Sequence, residues 1–179
     1  MNAVRARFMD CANLPQSAID HIISLNVSAE TLGRLAPAWG EVVFDGPGRF
    51  SFPDEYQGSE KPVPAVLFAA PVSGSDYGDI IAWSHKTRRV GSWCGAAAFV
   101  GYRDAFRLDE DGAVPVHPSV LAWLQDDMNG IVLVEPRTAC LDLVDCGPLL
   151  AHDADQAAEL LGLYQSFIPR IIVEERSRP

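Results

Sequence analysis

The sequence predicts an α+β fold: a mostly antiparallel sheet, a meander of about four or five strands, with a helical hairpin before it and a β-α-β-β-α segment after it. Three observations carry this prediction. Apolar residues recur at helical spacing before Pro37 and again after Pro118 and Asp153. Between those stretches, short apolar runs alternate with turns rich in Gly, Pro and Asp, which is how strands are punctuated. The composition, 48% hydrophobic against 21% charged, belongs to a chain that can bury a core rather than to a disordered one.

Taken in order, the first 37 residues read as helical. Ser17 is expected to cap a helix that places Ile19, Ile22 and Ile23 on one face, and Asn26-Val27 interrupts it. Ser28 caps a second short helix, Ala29 to about Ala36, with Leu32 and Leu35 inward, and Pro37 stops it. Val42–Phe44 and Arg49–Phe52 flank Asp45-Gly46-Pro47-Gly48, a hairpin signal. Pro53 to Pro62 is a loop. Val63 to Val72 is apolar, and its prolines favour an edge strand. Ser73 to Gly78 reads as another loop. Asp79–Ser84 and Val90–Trp93 read as paired strands joined by a polar turn over His85–Arg89.

The last third alternates. Val114–His117 is a short strand, and Pro118 opens a helix carrying Val120, Leu121, Leu124 and Met128, stopped at Asn129-Gly130. Ile131–Val134 is continuously apolar, as a strand buried on both faces would be. Ala139–Val144 is the next expected strand, then a Gly147-Pro148 turn. Asp153 or Asp155 caps a helix bearing Leu160, Leu161, Tyr164 and Phe167, ended by Pro169, and Ile171–Val173 adds a final strand. The 179 residues are expected to form one domain: a helical segment over 1–37, an α+β body over 38–175 and a frayed tail over 176–179.

The net charge of −10 argues against general affinity for nucleic acid, which depends on Lys and Arg neutralising phosphates. No apolar stretch reaches the ~18 residues of a membrane span, and the N-terminus has no signal-peptide core. Cys11, Cys94, Cys140 and Cys146 show no zinc-module spacing and are expected to be reduced core residues of a cytoplasmic protein.

Five features could carry chemistry. Asp20 to Leu35 resembles bacterial helix-turn-helix motifs, but the second helix offers only Glu30, Thr31 and Arg34 to a nucleic acid, and a plain helical hairpin explains it as well. Glu135 after an apolar strand, with Asp153 and Asp155 as an Asp-x-Asp pair, resembles the metal-binding arrangement of toprim domains, found in primases and topoisomerases. That resemblance covers Ile131 to about Leu161 and implies Mg²⁺ held by carboxylates for phosphoryl chemistry. Two departures are Pro136 after the Glu, where the family typically has glycine, and a short gap to Asp153. Asp153 with Gln156 also fits a capping box.

Gly91-Ser92-Trp93-Cys94-Gly95, leading into an expected helix over Ala96–Phe99, could aim backbone amides at an anion or lower the pKa of Cys94 as a nucleophile, with His85 or His117 as base. His85-Lys86-Thr87-Arg88-Arg89 is the densest positive run and could bind phosphate or an acidic partner through Lys86, Arg88 and Arg89. Acids crowd Asp104 to Glu159 (among them Asp109, Glu110, Asp111, Asp126, Asp127, Asp142 and Asp145), an arrangement suited to a basic cleft on a partner. Trp39, Trp83, Trp93 and Trp123 could mark an interface, although apolar surroundings favour the core.

The sequence as a whole favours a non-enzymatic protein that acts by binding another protein, a second copy of itself included. No cofactor is predicted and no metal is expected. The alternatives are a metal-dependent enzyme or nucleic-acid-processing factor built on the toprim-like carboxylates, and a DNA-binding accessory protein using the N-terminal helices.

Overall fold

The structure, a computed structural model, describes residues 2–72, 75–101, 113–143 and 148–167. It contains both helices and strands, as an α+β chain should. The strands form two sheets, and the first of them closes on itself.

Five strands make the closed sheet: β2 (Ala38–Gly46), β3 (Gly48–Ser51), β4 (Val63–Val72), β5 (Ser75–Trp83) and β6 (Val90–Ser92). Neighbours pair antiparallel, β2 with both β3 and β4, β4 with β5, and β5 with β6. The ring is completed by a parallel contact of β3 with β6, Gly48 opposite Gly91 and Arg49 opposite Ser92. The expected meander is therefore a five-stranded barrel, in which every strand is paired on both sides. Closure requires glycine at position 91, where a Cβ would fall 2.8 Å from the carbonyl carbon of Arg49. A two-residue strand, β1 (Ala12–Asn13), extends the sheet beside the start of β2.

Alternation along the strands builds two cores. Val42, Phe44, Phe50, Phe52, Ala65, Leu67, Ile80 and Ala82 fill the barrel, and the helix α1 (Ala3–Met9) adds Val4 and Phe8 to that cluster. The intervening residues Val66, Phe68, Ala70, Ile81 and Trp83 face outward into a second core. Because β4 and β5 are buried on both faces, their sequences read as continuous apolar runs.

Val63–Val72 is thus no edge strand. Its prolines are accommodated where the ladders tolerate them: Pro64 lies opposite Glu41 near the end of the β2 pairing, and Pro71 sits in a register irregularity between Ala70 and Val72. Ser75–Gly78, expected in a loop, belong to β5, and positions 73 and 74 lie outside the described residues.

The expected helical hairpin is present as α2 (Gln16–Ser24) and α3 (Ala29–Leu35). Pro15 rather than Ser17 occupies the cap of α2, whereas Ser28 caps α3 by accepting from the Thr31 N–H at 3.0 Å. The hairpin does not sit at the end of a sheet. Ile22, Val27 and Leu32 pack on the outer face of the barrel, in the second core.

The other side of that core is a β/α layer. Its strands are β7 (Phe99–Val100), β8 (Val114–His117), β9 (Ile131–Leu133) and β10 (Leu149–Ala151), and its helices α4 (Val120–Gln125), α5 (Pro136–Asp142) and α6 (Ala154–Phe167). β8 lies between β9 and β10 and runs parallel to both, and β7 adds an antiparallel edge on β9. Val120, Trp123 and Leu124 of α4 face the barrel. Ala139 of α5 and Leu143 at its C-terminal cap, with Leu160 of α6, cover Val114, Val116 and Ile131 on the opposite face.

Three expectations fail in this layer. Ala139–Val144 is not a strand, because Pro136 suits the first turn of a helix and α5 with its C-terminal cap buries Ala139 and Leu143 one turn apart. The C-terminal order is therefore β-α-β-α-β-α. Ala96–Phe99 is not a helix: the chain turns and then enters β7. Pro118 precedes α4 rather than opening it, and Ser119 caps the helix by accepting from the Ala122 N–H at 3.2 Å. The expected strand over 171–173 and the Gly147 turn residue lie outside the described residues.

Candidate functional site

The most concentrated polar arrangement is where β6 leaves the barrel. Asp79 is fully buried on β5. Its register, two residues before Ile81, turns its side chain to the outer face of the barrel. Strand pairing sets Ser92 opposite Ile81, so the chain after Ser92 crosses directly above the Asp79 carboxylate. That carboxylate accepts from the Ile80 N–H at 2.8 Å, the Ser92 hydroxyl at 2.5 Å, and the amides of Cys94, Ala96 and Ala97 at 2.9, 2.8 and 3.0 Å. The remaining amide of the loop, that of Gly95, donates to Ser92 Oγ at 2.7 Å.

The Ser92–Ala97 segment is therefore an anion nest already occupied by the protein's own carboxylate. The amides expected to receive a ligand are satisfied internally. Gly95 has φ +72°, in the left-handed region that glycine adopts without steric cost.

Cys94 is exposed at this loop rather than buried in a core. Its thiol pKa is raised, first by burial and then by the Asp79 charge, against a smaller opposing effect of Arg49 and a further raising effect of Glu55. No helix follows it to lower that pKa. The two histidines considered as its base have other neighbours. His117 Nε2 donates to the Asn129 carbonyl at 2.6 Å, and His85 packs among the rings of His21, Trp39 and Trp83. Beside Cys94, Trp93 stacks edge-on against Phe52 and its indole N–H donates to Glu55 at 2.8 Å. Arg7 lies over the other face of this rim, 4.0 Å from the Phe52 ring centre and paired with Asp54.

The three toprim-like carboxylates have different placements. Glu135 lies against the start of β3, its Oε2 3.1 Å from where a Cβ on Gly48 would be, and its amide is held by the Ala98 carbonyl at 2.9 Å. Asp153 accepts from the Gln156 N–H at 2.8 Å while Gln156 accepts from the His152 N–H at 2.6 Å, a reciprocal cap on α6. Asp155 is exposed in the first turn of the same helix. Among the described residues, no group of three or more His, Cys, Asp or Glu converges where it could hold a metal.

Arg34, offered above to nucleic acid, donates to the Asp127 carbonyl at 3.0 Å and pairs with its carboxylate at 3.5 Å. The buried Thr31 donates to the same carboxylate, and Gln125 donates to the Leu25 carbonyl at 2.7 Å. The helical hairpin is thereby bolted to α4. In the basic run, Arg89 donates to the Phe44 carbonyl at 3.0 Å and lies 4.9 Å above the Phe44 ring, while Lys86 and Arg88 are exposed around the β5–β6 turn. Arg89 also borders a shallow groove of about 440 Å³ with Phe44, Gly48 and Glu60. Trp83 and Trp123 are buried, and Trp39 and Trp93 are half-buried. Asp104, Asp109, Glu110, Asp111 and Asp145 of the acidic stretch lie outside the described residues, whereas Asp126, Asp127, Asp142 and Glu159 are exposed.

Asp79 carries no signal as a site residue in the sequence. It stands at the head of an apolar strand, and only the pairing of Ile81 with Ser92 folds its donors over it. No described helix is long and apolar enough to cross a membrane. Comparison of the chain with protein-family models, with curated proteins and with solved structures finds no significant match.

Proposed function

We propose that this protein acts by binding a partner protein through the outer surface of its β/α layer. The observation that carries the reading is the exposure of large apolar side chains there. Leu141 of α5 and Leu161 of α6 are 58% and 61% exposed, on two helices that pack beside each other over the same sheet face. Exposed leucines on adjoining helices are unproductive in water and suit a surface that another molecule covers. Asp155 and Glu159 are exposed on α6, so the fitting partner offers apolar side chains flanked by Lys or Arg. Catalytic chemistry has less support, since Asp79 is committed to bonds that hold the fold and Asp153 caps a helix.

Native mass spectrometry of the chain purified from its own host tests this. A heavier species is expected, a second protein or a second copy. It should disappear in a Leu141→Asp/Leu161→Asp variant whose melting temperature stays close to that of the parent. A bare monomer, or a complex indifferent to both substitutions, defeats the proposal.

A further inference from the structure

His21 of α2 and His85 of the β5–β6 turn are far apart in sequence, yet their ring centres lie 4.9 Å apart with planes inclined by 51°. The Trp39 and Trp83 rings stand 6.2 and 6.4 Å from His85 and wall the pair on the barrel side. His21 is exposed, so the pair opens to solvent. His85 is half-buried, and its Nδ1 is buried without a hydrogen-bond partner.

An orphaned ring nitrogen inside a protein is costly, because its lone pair or proton has given up water for nothing. Neighbouring imidazoles are also the ligands that zinc, nickel and copper ions prefer. The spacing agrees with shared coordination. Metal–nitrogen bonds of about 2.0–2.1 Å put each ring centre about 3.2 Å from the ion, so two rings at a near-tetrahedral angle stand about 5 Å apart.

We propose that His21 and His85 form a two-histidine site for a divalent transition-metal ion. No third His, Cys, Asp or Glu completes the set among the described residues, so the ion's remaining positions are open to water or to a ligand carried by a partner. Burial lowers the pKa of His85 first, and the neighbouring His21 and Lys86 add to the effect.

The test is titration of the full-length chain with Ni²⁺ or Zn²⁺ alone, followed by calorimetry and, for Ni²⁺, by quenching of tryptophan fluorescence. One equivalent should bind, with quenching that reports the adjacent Trp39 and Trp83. His21→Ala and His85→Ala should each weaken binding at least about tenfold, the loss of one of two ligands, while His152→Ala leaves it unchanged. His21 is exposed, so its substitution remains informative if the His85 variant does not fold. Equal binding by parent and His21→Ala would mean adventitious metal only. That result, or no binding up to about 1 mM, overturns the site.

Discussion

Asp79 and Asp127 both tie one part of the molecule to another, and they do so in opposite settings. Asp79 is fully buried where the barrel meets the loop leading to the β/α layer, and five donors converge on it. Asp127 is 71% exposed in its side chain on the turn after α4, and it meets Thr31 and Arg34 of α3. A buried carboxylate has exchanged all its water for protein donors, so each donor left unpaired by its removal keeps the full desolvation cost. An exposed carboxylate trades its protein partners for water at little loss. The residue type is the same, and the two sites differ in burial and in the number of donors on the carboxylate.

Substitutions at the two sites measure that difference. Asp79→Ala strands the Ser92 hydroxyl and three loop amides, and is expected to cost about 3–5 kcal/mol or to prevent folding, read by chemical denaturation. A loss below about 1 kcal/mol would show that water replaces the carboxylate and that the loop is not organised by it. Asp127→Ala should cost about 0.5–1.5 kcal/mol in the same assay, from the buried Thr31 hydroxyl and from alanine at φ +53°, with little from the Arg34 pair. Arg34→Ala alone should then fall within about 0.5 kcal/mol of the parent. If Asp127→Ala proves as damaging as Asp79→Ala, neither burial nor the number of donors is the deciding variable.

The smallest effect is a pH dependence at the contact between α2 and the barrel. The pKa of His85 is lowered in the folded chain, chiefly by burial, so the folded state binds fewer protons there than the unfolded state. Stability from this residue is complete above the ordinary imidazole value of about 6.5 and is lost as pH falls from there through the lower value of the folded state. The melting temperature should drop by a few degrees at most between neutral and mildly acidic pH, and His85→Gln should flatten that part of the profile. An unchanged profile in the variant would assign the dependence to other groups.

The legible parts of the fold are those whose pattern is local. The hairpin signal at Asp45–Gly48 delivers β2 and β3, the polar run at His85–Arg89 delivers the turn between β5 and β6, and Ser28 caps α3 as its position implies. The misread parts depend on partners distant in the chain. Val63–Val72 looks like an edge because of its prolines, yet barrel closure pairs it on both sides. Ala139–Val144 looks like a strand, since a short, mostly apolar stretch cannot show whether it will meet a sheet or lie upon one, and Pro136, suited to the first turn of a helix, is the local cue that decides it. For the candidate sites the same division holds. The capping box at Asp153 could be read from four residues, whereas the donors of Asp79 and the pairing of His21 with His85 could not.

By itself, then, the sequence determined most of the apolar strands and helix faces and where the chain turns, because hydrophobic periodicity and turn chemistry act over a few residues. Tertiary structure alone decided that the sheet closes, that the amides after Ser92 fold over an internal carboxylate, and that two distant imidazoles stand side by side. Each of those depends on register between strands and on helices docking across the barrel wall, and neither leaves a trace in local spacing.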